Sequence, residues 1–275
     1  MSGADTVPAR AGPAVPAFRR FLGRIGAPVV AGLLWLVRLA AMGSSVVFLA
    51  MRRTTWRRTV RAEFGRAIAG ALVGPLTATA VTAVLVGVGL VYQALYWLEA
   101  AGQVEMLGRI IVIVLIRELA PMLVGLIIIG QSGTVMLIEI TQMRAGGQLR
   151  MLDSQGIDPF LLLVVPRTLA FTLAAFTLTI WFVVITLFAG YAAATLMGAV
   201  KVTFWGYLDV IMRGMRLTDF LLLPTKSLAI GFVVGVVCSY TALLHVRSAT
   251  RVVAIGFVRA AVAVFAASGL VSLIL

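Results

Sequence analysis

Two opposite charges inside an apolar run place the tightest limit on what this chain can become. Residues 106–132 form a hydrophobic stretch interrupted by Arg117, Glu118 and Pro121. The stretch exceeds the roughly 18 residues that mark a membrane-span candidate. So do the runs at about 67–97, 160–197, 221–244 and 252–275. Lipid offers no hydrogen bonds to the backbone, so only helices and closed barrels cross it. Barrel strands are short and alternate in polarity, whereas these runs are long and continuous. The expectation is an all-α integral membrane protein. A mean hydropathy of +1.08 and 61% hydrophobic residues agree, since soluble domains are about half apolar.

Charge sets the orientation. Residues 1–17, rich in Ala, Pro and Gly, lack the basic-then-apolar order of a secretory signal and read as a flexible cytoplasmic tail. Residues 18–66 carry Arg19, Arg20 and Arg24 before an apolar run at 27–51, then Arg52, Arg53, Arg57, Arg58, Arg61 and Arg66 after it. A single crossing would put one basic flank on the wrong side of the membrane. An N-terminal interfacial helix keeps both flanks cytoplasmic; an ordinary extra span with poor charge bias is the competing reading. Residues 67–275 then supply five transmembrane helices. Gly70, Gly74 and Pro75 interrupt the start of the first, Tyr92, Tyr96 and Trp97 close it, and the acidic loop from Glu99 to Glu105 follows on the outer side.

The second span returns inward. Pro121 has no amide hydrogen, so the carbonyl of Arg117 loses its α-helical partner where the two charges sit. Neighbouring helical residues point about 100° apart, which leaves Arg117 and Glu118 poorly placed to neutralise each other. Partners on other helices, or a polar cavity, are required. Charges within a span are costly and mark function by default; a buried ion pair that only fixes packing is the plain alternative.

Residues 133–158 form a polar connector on the cytoplasmic side. Met136, Ile140 and Met143 share one helical face, with Glu139, Gln142 and Arg144 between them. This predicts a short amphipathic helix broken near Gly146-Gly147, a stop at Gly156, and an N-cap at Asp158 followed by Pro159. The third span is too long for one straight crossing, and Pro166 is expected to divide it, with Arg167 near the boundary. Lys201 to Asp219 reads as an outer segment containing a short interfacial helix. The fourth span begins near Pro224 and Lys226. Lys226 either snorkels to the outer interface or turns inward to compensate Glu118. His245, Arg247 and Arg251 make a basic turn, and the fifth span contains Arg259.

Several function classes drop out. The net charge of +13 flanks apolar spans, where it sets topology and meets anionic lipid, so nucleic acid is not an expected partner. One cysteine, Cys238, and one histidine, His245, give neither a disulfide nor a metal motif. Ser132 and Ser154 have no nearby histidine to make a nucleophile. No catalytic residues and no phosphate-binding loop are expected on this chain.

The run Arg117-Glu118-Leu119-Ala120-Pro121, the connector with Glu139, Met143 and Gln148, and Gly156-Ile157-Asp158-Pro159 followed by Val165-Pro166-Arg167 resemble the MlaE/YrbE permeases, the membrane subunits of ABC transporters that work with MCE proteins. The likeness covers roughly residues 67–240. It implies a permease subunit, not an enzyme, in the bacterial inner membrane, paired with a second permease subunit, a homodimer or one half of a heterodimer. It implies a cytoplasmic ABC ATPase that holds the ATP and magnesium, a periplasmic MCE-domain conduit, a STAS-domain regulator, and lipid cargo, typically phospholipid, moved between the inner and outer membranes. By the same likeness Arg117, Glu118 and Lys226 border the lipid-binding cavity. Glu139, Met143, Arg144 and Gln148 fall in the ATPase-coupling helix between spans two and three. Gln131 stands where the family usually has Arg, Ile138 where it usually has a small residue, and Gly147 where it commonly has an acid. Residues His245 to Thr250 replace a Gly-rich turn. Two rival readings stay open: an ion- or proton-coupled secondary transporter, which often shows internal repeats that this chain lacks, and a membrane scaffold without transport activity.

Overall fold

The structure, a computed structural model, describes residues 17–100, 102, 107–198, 203–244 and 249–274. Most of the expected N-terminal tail, and Glu105, Lys201, His245 and Arg247, lie outside the described residues. Every regular element described is helical. The chain divides into two units at Ala41/Met42. The first holds the start of α1 (Ala17–Met51), where Leu33, Leu34, Leu36 and Val37 are exposed around the helix.

The second unit begins with the end of α1, where Val46 packs on Val164 and Val165. A short 3-10 turn (Arg53–Thr55) leads into α2 (Arg58–Ala100). Gly70, Gly74 and Pro75 do not interrupt α2, which runs past both ends of the expected first span. The next helical run starts with α3 (Leu107–Ile110) and widens into a π-helical stretch (Ile111–Leu119). It continues as α4 (Ala120–Ile128), a second π turn (Ile129–Gly133) and α5 (Thr134–Ala145). Where a separate connector helix is expected, α5 runs on from the second span without a break. π-Helical turns are uncommon and gather at functional sites; the first of these ends beside Pro121.

The connector follows its turn chemistry. Gly146 closes α5, and Gly147, at φ 73°, opens α6 (Gln148–Ser154). The Ile157 amide donates to the Leu152 carbonyl and the Gly156 amide to that of Asp153, with Gly156 at φ 72°. These are the paired bonds of a glycine-closed helix end. The Asp158 carboxylate then accepts from the Phe160 amide at 2.9 Å, with Pro159 between them as the first helical residue.

A π turn (Phe160–Val164) leads into α7 (Val165–Leu196). The helix type changes at Val165, but the helical run continues undivided from Phe160 to Leu196, and Pro166 sits in the first α turn, where its missing amide costs little. Next come α8 (Phe204–Gly214), α9 (Leu217–Leu244) and α10 (Ala249–Ile274). Among the described residues, six helices are long and apolar enough to cross a membrane, the N-terminal Gly32–Met51 segment included. The chain is a multi-pass membrane protein. α7 lies between α2 and α9, and α9 also touches α4, α5 and α10. Close approach needs missing side chains: a Cβ on Gly231 would lie 2.5 Å from the Phe171 carbonyl oxygen. Small residues let backbones meet where lipid gives helices no hydrophobic drive to associate.

Candidate functional site

Two polar clusters interrupt an otherwise apolar bundle. The first forms where the π-helical stretch meets α9 and α10. Lys226 is fully buried, although lysine is almost never buried without partners. Its ammonium donates to the Arg117 carbonyl at 2.8 Å, to Glu118 Oε2 at 2.8 Å and to Ser272 Oγ at 2.7 Å. The Ser272 hydroxyl donates on to Glu118 Oε1 at 2.9 Å. All three ammonium hydrogens are therefore used. One of them serves the carbonyl that Pro121 cannot reach.

Arg117 turns the other way. Its Nε meets Asp219 Oδ1 at 2.6 Å, and Asp219 is buried. The other Asp219 oxygen accepts from the Arg216 amide at 2.8 Å, the back-reach of an acid in a first helical turn. Neighbouring charges thus pair with two different positions on α9. Pairing offsets part of the cost of burial. The side chains of Glu118 and Arg117 remain 44% and 29% exposed on the single chain, so the cluster forms a polar patch facing outward.

The second cluster ties α2, α5 and α7 together. Buried Arg167 spans two acids: Nη2 to Glu63 Oε1 at 3.3 Å and Nη1 to Glu139 Oε2 at 3.0 Å. Arg66 meets the other Glu63 oxygen at 2.9 Å. These groups, with Gln131 and Ser132, line a hollow of about 560 Å³ whose walls also include Gly70 and Gly130. A second hollow, about 360 Å³, lies between α6, the π turn before α7 and the end of α9. Its wall includes Ile140, Leu149, Arg150, Asp153 and Phe160. Neither hollow contains Arg117, Glu118 or Lys226.

Among the expected site residues, Arg117, Glu118 and Lys226 are brought together. Glu139 joins the Arg167 cluster, Met143 and Arg144 lie half-buried on α5, and Gln148 is exposed at the start of α6. Reasoning from sequence missed Asp219 and Ser272 in the first cluster and Glu63 in the second. Asp219 lay in the expected outer segment, just before the expected fourth span, and only the start of α9 at Leu217 puts it in a first helical turn. Ser272 carried none. No group of His, Cys, Asp and Glu able to hold a metal occurs among the described residues.

The family model described as Permease MlaE matches residues 64–274. A probable ABC transporter permease of Rickettsia typhi is 30% identical over 137 residues, 49% of this chain and 51% of the relative. One from Synechocystis is 29% identical over 172 residues, 62% of this chain and 65% of the relative. The intermembrane phospholipid transport system permease protein MlaE of Haemophilus influenzae is 32% identical over 84 residues, 30% of this chain and 32% of the relative. These alignments span from a third to two thirds of the relatives' lengths.

Proposed function

This chain belongs to the MlaE permease family, and on that premise we propose that it is the membrane subunit of an ATP-driven transporter of phospholipid in the bacterial inner membrane. Two copies pair, with a heterodimer as the other arrangement. A cytoplasmic ABC ATPase supplies ATP hydrolysis, an MCE-domain conduit receives lipid on the periplasmic side, and a STAS-domain protein regulates the ATPase. In this reading α1 lies in the cytoplasmic interface, and five spans carry the permease.

The observation that carries the proposal is the partly exposed patch of Arg117 and Glu118 within a span, locked from behind by Lys226 and Asp219. A two-chain lipid needs apolar walls and a small number of polar groups for its head. Arg117 attracts the phosphate as a planar, permanently charged fork. Glu118 keeps the anion from binding too tightly to leave. Both face out of the single chain, where a second subunit would close the chamber. Glu139, Met143, Arg144 and Gln148 lie on α5 and α6, the cytoplasmic elements that would meet the ATPase. Because α5 continues the helix that carries Arg117, a push on the connector travels along one continuous helical path to the chamber.

Reconstitution tests this directly. The permease is placed in vesicles with its ATPase, and fluorescent phospholipid is followed to an acceptor. Transfer should require ATP and fall at least tenfold in Arg117→Ala/Glu118→Ala. Transfer driven by a proton gradient without the ATPase, or normal transfer by the double variant, would overturn the proposal.

A further inference from the structure

The hollow around Arg167 has no part in the chamber proposed above, and its chemistry fits a ligand of its own. Its polar wall holds two acids and two guanidinium groups, balanced in charge but not in exposure. Arg167 is buried and divided between Glu63 and Glu139. Glu63 is buried and held by both arginines. The two groups with valence to spare are Arg66, whose side chain is 77% exposed, and Glu139, 51% exposed, with one oxygen engaged by Arg167. The hollow therefore offers one outward cation and one outward anion.

Beside these charges and the polar Gln131, Ser132 and Thr134, part of the wall is apolar and open. A Cβ built on Gly70 or Gly130 would meet nothing within 4 Å, and both residues line the hollow with Ala67, Ala71 and Phe171. The Ser132 hydroxyl donates to the Gly70 carbonyl at 3.2 Å, which stitches the π turn to α2 along this wall. The level in the membrane is fixed by the basic block before Arg66 and by the position of Arg167 at the start of α7. Both belong to the cytoplasmic interface. A polar head and an apolar wall at the level of the inner leaflet's headgroups describe a lipid site.

We propose that this hollow binds one zwitterionic, amine-bearing phospholipid of the cytoplasmic leaflet, with its phosphate on Arg66, its ammonium on Glu139 and an acyl chain along Gly70 and Gly130. A lipid with net negative charge fits worse, because its head gives Glu139 no cation. The site is separate from the Arg117–Glu118 patch and does not depend on that patch carrying transport. Since Glu139 stands on α5, the bound head lies against the helix that leads to the cytoplasmic connector.

The test is lipid retention by the purified full-length permease, read by native mass spectrometry with phosphatidylethanolamine or phosphatidylglycerol added. The parent should retain phosphatidylethanolamine about tenfold better, the worth of roughly one charge-assisted hydrogen bond. Glu139→Gln should abolish that preference, and Asp209→Asn, in an exposed ion pair on α8 away from the hollow, should leave it in place. A Cβ at Gly70 or Gly130 meets open space and both residues line the hollow, so Gly70→Leu and Gly130→Leu should lose the bound lipid, with the melting temperature of each showing that it is folded. Equal retention of the two lipids by the parent, a preference unchanged by Glu139→Gln, or undiminished binding by folded Gly70→Leu and Gly130→Leu would overturn the proposal. If Glu118→Gln rather than Glu139→Gln removes the preference, the lipid belongs to the outer patch and this site fails while the transport reading stands.

Discussion

Replacing Lys226 with Met should cost the fold more than any other single substitution in the outer polar cluster. The new side chain has nearly the same length and is apolar, so packing is kept and only three hydrogen bonds are lost. Removing one partner of a buried ion pair costs about 3–5 kcal/mol. Glu118 is 44% exposed, and exposed pairs contribute at most about 1 kcal/mol, so that loss falls to roughly 1–2 kcal/mol. The Arg117 carbonyl is then left without its lysine donor, at about 1–3 kcal/mol. The total is about 3 kcal/mol. At roughly 2–4 °C per kcal/mol for a chain of this size, the melting temperature should fall by roughly 6–12 °C. Thermal unfolding in detergent, followed by circular dichroism, measures it. Ser272→Ala should cost only about 1 kcal/mol. Pro121→Ala in the Lys226→Met background should recover about 1 kcal/mol by returning an amide hydrogen opposite that carbonyl. A Lys226→Met protein melting within about 2 °C of the parent would refute the reasoning.

Two further outcomes follow from packing. Gly231→Ala drives a methyl into the α7 backbone at Phe171 and Thr172 and should destabilise by about 1–3 kcal/mol, again read by thermal unfolding; Gly269→Ala, which meets nothing within 4 Å, is the neutral control. Burial pushes the Tyr207 phenol up to about 12. Its folded value lies above the unfolded one, so its contribution is complete below about pH 10 and is lost as pH rises through 12. Ultraviolet difference titration of the parent against Tyr207→Phe should show this phenol ionising near pH 12, and ionisation near pH 10 would contradict its burial.

How much the sequence disclosed depends on whether a feature is local. The turn at Gly156 and the cap at Asp158 could be read because their hydrogen bonds close within five residues. The five long runs from about residue 67 onwards could be read because lipid leaves few options for the backbone. Local signals misjudged continuity. Gly70, Gly74 and Pro75 suggested an interrupted first helix, yet α2, packed along α7, continues through them. The polarity after Gln131 suggested a separate connector helix, yet one π turn, Ile129–Gly133, carries the helix into α5 without a break. Pro121 showed that a carbonyl would need a donor. It could not show that the donor lay on α9, because a contact across more than a hundred residues leaves no mark in local spacing. Glu63 stayed hidden for the same reason: amid the basic block it resembled a surface acid, and only the fold brings Arg167 to it.

The most direct measurement of the transport account is photocrosslinking from a reactive residue placed at position 119, next to the Arg117–Glu118 patch, in the assembled complex with its ATPase. The account predicts a covalent phospholipid adduct in the resting complex that disappears when ATP and vanadate trap the ATPase. An adduct formed only with protein, or a lipid adduct indifferent to the nucleotide state, would contradict it.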